Sequence, residues 1–148
     1  MDYKNIDDAV YVRLDKGDEI LSSILDVCKK EKILSAIYSG IGACDEIEVR
    51  THIPSKNEYR YDRRNGVLEL ISLSGNISSD NNNNIFEHTH AIFSYIDEQN
   101  NNACIGGHLI KAVISYTGEI LINPVREGVI RRIKDDITGI RWRLHELR

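Results

Sequence analysis

Two rhythms of apolar residues run through the chain. Ile20, Leu21, Ile24, Leu25 and Cys28 recur at helical spacing, while Asp26, Lys29, Lys30 and Glu31 fall on the opposite face. The pattern predicts one amphipathic helix over residues 18–31, begun after Lys16-Gly17, with Asp18 near the positive end of its dipole and Cys28 turned to the core. Elsewhere the rhythm is two, and it predicts strands over residues 9–14, 34–41, 47–53, 59–62, 67–77, 85–96, 103–116 and 119–122. The polar runs at residues 78–84 and 97–102 are loops, and Thr138-Gly139 after Asp135-Asp136 predicts the turn of a last small hairpin, with Ile130, Ile133, Ile140, Trp142 and Leu144 as its apolar contacts. One helix against this many strands predicts an α+β fold, the helix covering one face of a sheet. The late strands are long and apolar, as in residues 112–116, so their edges need a cover; oligomerisation supplies one, without the sequence choosing two-fold or three-fold symmetry.

Composition narrows the class. With 148 residues, 41% hydrophobic and 28% charged, the chain is expected to form a single domain over residues 1–148 with a core of ordinary size. No apolar run approaches the roughly 20 residues that cross a bilayer, so no membrane partner is expected. The start, MDYKNIDDAVYVRL, carries acids where an export signal needs a basic then apolar stretch, which predicts a cytoplasmic protein. Cys28, Cys44 and Cys104 are widely spaced and odd in number, as expected of reduced thiols. The net charge of −4 argues against a general electrostatic grip on nucleic acid. Charge is uneven, however: residues 126–148 hold seven bases (Arg126, Arg131, Arg132, Lys134, Arg141, Arg143, Arg148) against four acids. No aromatic stacking series accompanies them, so a solvated strand face or a subunit contact is the reading preferred over a nucleic-acid surface.

The chemistry concentrates in His88-Thr89-His90 and Gly106-Gly107-His108. Side chains alternate along a strand, so His88 and His90 point the same way. A hairpin folded symmetrically about residues 97–102 pairs Ile96 with Ala103 and sets His108 opposite Ala91; a one-residue bulge at the glycine pair then brings His108 beside His90. Three neutral imidazoles on rigid strands are the ligand set of an open zinc site, although strand histidines are also often half-buried residues bonded to a neighbour. Cys104, four residues before His108, is a weaker fourth ligand whose simpler role is a small apolar filler. His52 and His145 have no partner in the sequence and are expected at the surface or an edge. Gly40-Ile41-Gly42 lacks the third glycine and crossover helix of a dinucleotide loop, and no serine elbow, phosphate loop or cysteine nucleophile is present.

The ordered motifs Tyr11-Val12-Arg13-Leu14 with Gly17, Ser39-Gly40-Ile41-Gly42-Ala43, residues 68–77 (LELISLSGNI), His88-Thr89-His90, Gly106-Gly107-His108-Leu109 and Thr117-Gly118-Glu119-Ile120 resemble the plant-and-prokaryote-conserved (PPC) domain in its single-domain prokaryotic form, over nearly the whole chain. The resemblance implies an α+β domain with a mixed, mostly antiparallel sheet and one main helix, assembled as a homotrimer. Prokaryotic members are called DNA-binding by analogy with plant relatives that join the domain to an AT-hook. No Arg-Gly-Arg-Pro core occurs here, so the DNA-reading element is absent and that analogy rests on fold alone. Where the plant domains have arginine and phenylalanine before a glutamate this chain has Val67-Leu68-Glu69, and the plant domains lack the histidines. His88, His90 and His108 fall on motif positions of the prokaryotic branch, which implies a metal site, zinc foremost, in a trimer that binds a small molecule or acts on one. Glu69 and Glu119 are candidate general bases only because they match family positions, and Glu87 faces away from His88 by alternation, which makes it a supporting or surface group; a solvated or salt-bridged strand residue is the reading preferred for each. The alternatives are a DNA-binding or regulatory module using the basic tail, and a trimerisation domain whose histidines bind nothing.

Overall fold

The computed structural model describes the backbone of residues 1–135 and 139–145 and the side chains of residues 1–132. In chain order the elements are β1 (Asp2–Ile6), β2 (Ala9–Asp15), α1 (Ile20–Lys30), β3 (Ala36–Ile53), β4 (Glu58–Ser79), β5 (Ile85–Ile96), β6 (Asn102–Pro124), β7 (Val129–Asp135) and β8 (Gly139–His145). The sheet runs β1-β2-β6-β3-β4-β7-β8, and β5 pairs with both β4 and β6. Since β3 pairs with β4 and with β6, the four long strands β3, β4, β5 and β6 close a circuit of pairings. All described pairings are antiparallel except the single parallel step of β4 to β7 at Ser79 and Arg131. The α+β fold expected from the pattern is therefore observed, with the mixed, mostly antiparallel sheet that the resemblance implies.

The helix begins two residues later than its periodicity suggested, because Glu19 and not Asp18 caps it. The Glu19 carboxylate accepts from the amides of Leu21 at 3.2 Å and Ser22 at 2.7 Å, satisfying donors the first turn leaves open. It also accepts from the Ala112 amide at 3.3 Å, which fastens the helix start to β6. Asp18 instead bonds back to the Asp15 amide. The apolar face of α1 (Ile20, Leu21, Ile24, Val27 and Cys28) is buried, and with Val12, Leu14, Ile47, Leu68, Leu73, Phe93, Leu109, Ile114 and Ile120 it makes one core. Removing a side chain of this size from water stabilises by about 1.5–3 kcal/mol.

Several expected strands merge. Residues 34–41 and 47–53 are one strand, β3, because the stretch between them stays paired through bulges at Gly40/Gly42 and Cys44/Glu46. A bulge shifts the inside-outside alternation by one residue, so along the sequence it mimics a strand end. Residues 59–62 and 67–77 likewise belong to β4, which passes through Gly66 at φ +107°, and residues 103–116 and 119–122 both belong to β6. The polar, exposed β1 has no apolar rhythm to announce it. The last hairpin is present as β7 and β8; its turn at residues 136–138 and the side chains of Ile133, Ile140, Trp142 and Leu144 lie outside the described residues. No helix among the described residues is long and apolar enough to cross a membrane.

Candidate metal centre

The histidine hairpin forms with a different register from the symmetrical one. Ile96 pairs with Asn102, and His90 pairs with His108, with no irregularity between them. The glycine pair therefore supplies no bulge towards β5; Gly106 and Gly107 face Ile92 and Ala91 in regular register. Their lack of side chains serves a close approach instead. A Cβ on Gly107 would sit 2.8 Å from the Arg50 carbonyl oxygen, inside contact distance, so only glycine lets β6 lie this near β3.

Two residues along β5 from His90, His88 completes the cluster. Ring centroids lie 5.3 Å apart for His88 and His90, 5.1 Å for His88 and His108, and 5.5 Å for His90 and His108. One nitrogen from each ring falls within 4.8 Å of the others. At the Zn–N distance of about 2.0–2.1 Å, tetrahedral nitrogens sit about 3.3 Å apart, so the rings need only close in slightly around an ion. Burial, then Arg50, then the two neighbouring histidines push His108 down to about 4, and burial followed by His90 lowers His88. Near neutral pH both rings thus keep a lone pair to give, the state a metal requires.

The cleft around the cluster has a volume of about 830 Å³ and is lined also by Arg50, His52, Tyr59, Glu87, Arg132 and the glycine pair. Arg50 stands directly across β3 and β6 from His108, its Nη2 3.3 Å from His108 Nε2. Its guanidinium lies over Tyr59, 4.8 Å from the ring centre. Tyr59 in turn packs against His52, which bonds to Asn57; His52 is exposed, as expected, and sits on the rim of the cleft. The side chain of His145 lies outside the described residues. Glu87 shares the side of β5 held by buried Thr89, whose hydroxyl donates to it at 2.7 Å; Thr89 accepts from Tyr38, making a short relay of hydroxyls from core to cleft. Gly75 opposite Tyr38 leaves the space through which that ring reaches Thr89.

Other candidates fall elsewhere. Cys104 faces Ser94, exposed and about 13 Å along the strand from His108, so it is not among the clustered donors. Cys28 and Cys44 are buried, which pushes both thiols up to about 12. Glu69 and Glu119 are exposed and do not line the cleft. Of the basic tail, Arg131 is occupied by Ser79, Asn83 and the Asp80 carbonyl, Arg126 by the Asp8 carbonyl, and Arg132 lies 5.1 Å from the Phe86 ring in the histidine cleft. Arg50 escaped the sequence reading: its one signal is that Arg50 and His52 share a strand face, and that gains meaning only once β3 is known to pair with β6.

Fold and cleft together define a class, a small α+β protein carrying three converging imidazoles on the outside of a closed strand circuit. The chain belongs to the Plants and Prokaryotes Conserved (PCC) domain family, whose model matches residues 1–126, in agreement with the motif resemblance. A structure from Bacteroides thetaiotaomicron, named only as a candidate DNA-binding protein, has 27% identity and a TM-score of 0.83, covering 99% of this chain and 98% of its own. A plant- and prokaryote-conserved (PPC) protein from Pyrococcus horikoshii has 29% identity and a TM-score of 0.76, over 99% and 95%. A protein from Archaeoglobus fulgidus described as metal-containing has 26% identity and a TM-score of 0.77, over 100% and 99%. No curated protein matches the chain.

Proposed function

We propose that the chain binds a divalent transition metal, zinc foremost, through His88, His90 and His108, and that the cleft around it receives a small molecule. The observation that carries the reading is the convergence of three imidazole nitrogens within 4.8 Å on two paired strands. An all-nitrogen donor set suits zinc and its neighbours and not calcium or magnesium, which favour oxygen. The metal-containing description of the Archaeoglobus fulgidus protein agrees with it. A bound zinc ion supplies Lewis acidity and lowers the pKa of its water to about 7. The protein's part is to bring the three rings together, with burial disfavouring the charged forms of His88 and His108, to wall the cleft with glycine backbone, and to place Glu87, which accepts from Thr89, in the cleft lining. The chain works as a homotrimer in the cytoplasm in this reading. DNA binding by the basic tail ranks second: the Bacteroides thetaiotaomicron name speaks for it, but the half-buried Arg131 is held by Ser79 and the Asp80 carbonyl and the chain is acidic.

Metal analysis of protein purified without a histidine tag tests the proposal. Zinc is expected at one ion per histidine cluster, and a His88→Ala/His90→Ala variant that melts normally is expected to lose it. Equal zinc in both proteins, or none in either after refolding with zinc, refutes the site.

A further inference from the structure

Arg50 is a cation with too few partners. Among the described residues no carboxylate pairs with it; its Nε is shut off from solvent without a hydrogen-bond acceptor, and its Nη2 has only the nitrogen of His108 at 3.3 Å. Arginine can only donate, so in that contact His108 gives the single lone pair of a neutral imidazole. A metal needs the same lone pair. Whichever ring nitrogen takes the ion, the other then carries N–H and cannot accept from Arg50. Loading the cluster therefore removes the guanidinium's one acceptor and leaves a half-buried, positively charged fork beside the ion.

We infer that the cleft takes a small organic carboxylate, gripped by Arg50 on the open side of His88, His90 and His108; the inference rests on the metal reading above. Charge supports it. Metal-bound imidazoles add no charge, whereas the divalent ion and Arg50 are both positive and Glu87 is the one carboxylate among the described lining residues, so the loaded site carries a net positive charge in an otherwise acidic chain. A guanidinium presents two parallel N–H groups that match the two oxygens of a carboxylate. The Tyr59 ring beneath Arg50 fixes the plane of that fork, and Glu87 on the rim disfavours a doubly charged phosphate. A volume of about 830 Å³ and the bare backbone of Gly106 and Gly107 leave room for a metabolite-sized molecule.

Cobalt-substituted protein tests this, because the visible absorption of cobalt reports what surrounds it. Titration with acetate is expected to change the spectrum saturably. The Arg50→Gln variant is expected to bind cobalt stoichiometrically but to need about tenfold to a hundredfold more acetate, the loss of a hydrogen bond to a charged group, and Arg50→Lys, which keeps the charge without the fork, falls between. If cobalt binds but acetate leaves the spectrum unchanged, or Arg50→Gln responds like the native chain, the inference fails while the metal site stands. Tighter binding of inorganic phosphate than of acetate overturns the carboxylate assignment. Failure to bind cobalt overturns both readings.

Discussion

His108 carries opposing demands at the level of a single side chain. Burial and the adjacent Arg50 make its protonated form costly, holding it down to about 4 against an ordinary value near 6.5. In that window the unfolded chain takes up a proton that the folded chain refuses. The stability contributed by neutral His108 is thus fully present above about pH 6.5 and lost as the pH falls from there through about 4. His88, lowered for the same first cause, acts in the same direction. Metal-free protein is expected to unfold at progressively lower urea concentration between pH 7 and pH 4, and His108→Gln is expected to flatten that dependence. Carboxylates are common to both proteins and drop out of the comparison, so parallel slopes would show that His108 is not held neutral.

Between residue and fold stands the hairpin, whose loop sets which histidines meet. Asp97 accepts from the amides of Gln99 at 2.9 Å and Asn101 at 2.8 Å, and Asn100 takes a left-handed φ of +63°, a conformation asparagine tolerates better than most residues. The loop before β5 is built alike: Asp80 accepts from the amides of Asn82 and Asn84, with Asn83 left-handed. Both loops were legible as runs of turn residues, and so were the helix and most strand cores. The shared face of His88 and His90 was legible too, since alternation is a local property. Register was not, because the five-residue loop over residues 97–101 shifts the pairing by one position through geometry no hydrophobic pattern encodes. Nor was Arg50, whose meeting with His108 crosses strands 58 residues apart. Replacing Asp97 with alanine removes both loop bonds and is expected to cost about 1–2 kcal/mol, read as a fall of about 2–8 °C in melting temperature, with weaker zinc retention because the His90 and His108 pairing loosens. Unchanged melting and zinc content would show that the β5–β6 ladder alone holds the register.

The same outward alternation that presents the histidines leaves a broad apolar face on the whole molecule. Tyr11 of β2 pairs with Leu121 of β6, Leu121 with Ser39 of β3, and Ile37 and Ile41 flank Ser39, exposed by 59% and 55%. Ile71 lies across the bulge from Ile41, and Ser74, opposite Ser39, pairs with His90, so the face runs up to the cluster. A contiguous apolar surface of this kind marks an interface, and a cyclic arrangement of copies hides it without leaving a new edge. Light scattering on the native protein is expected to give three times the chain mass of 16.9 kDa, and Ile41→Asp to give a single chain mass, since it seats a charge in the centre of the face. His88, His90 and His108 all belong to one hairpin of one chain, so the dissociated variant is expected to keep its zinc. Loss of zinc together with the trimer would mean that a neighbouring copy is needed to hold the site. A native mass of one chain would leave the apolar face to another partner.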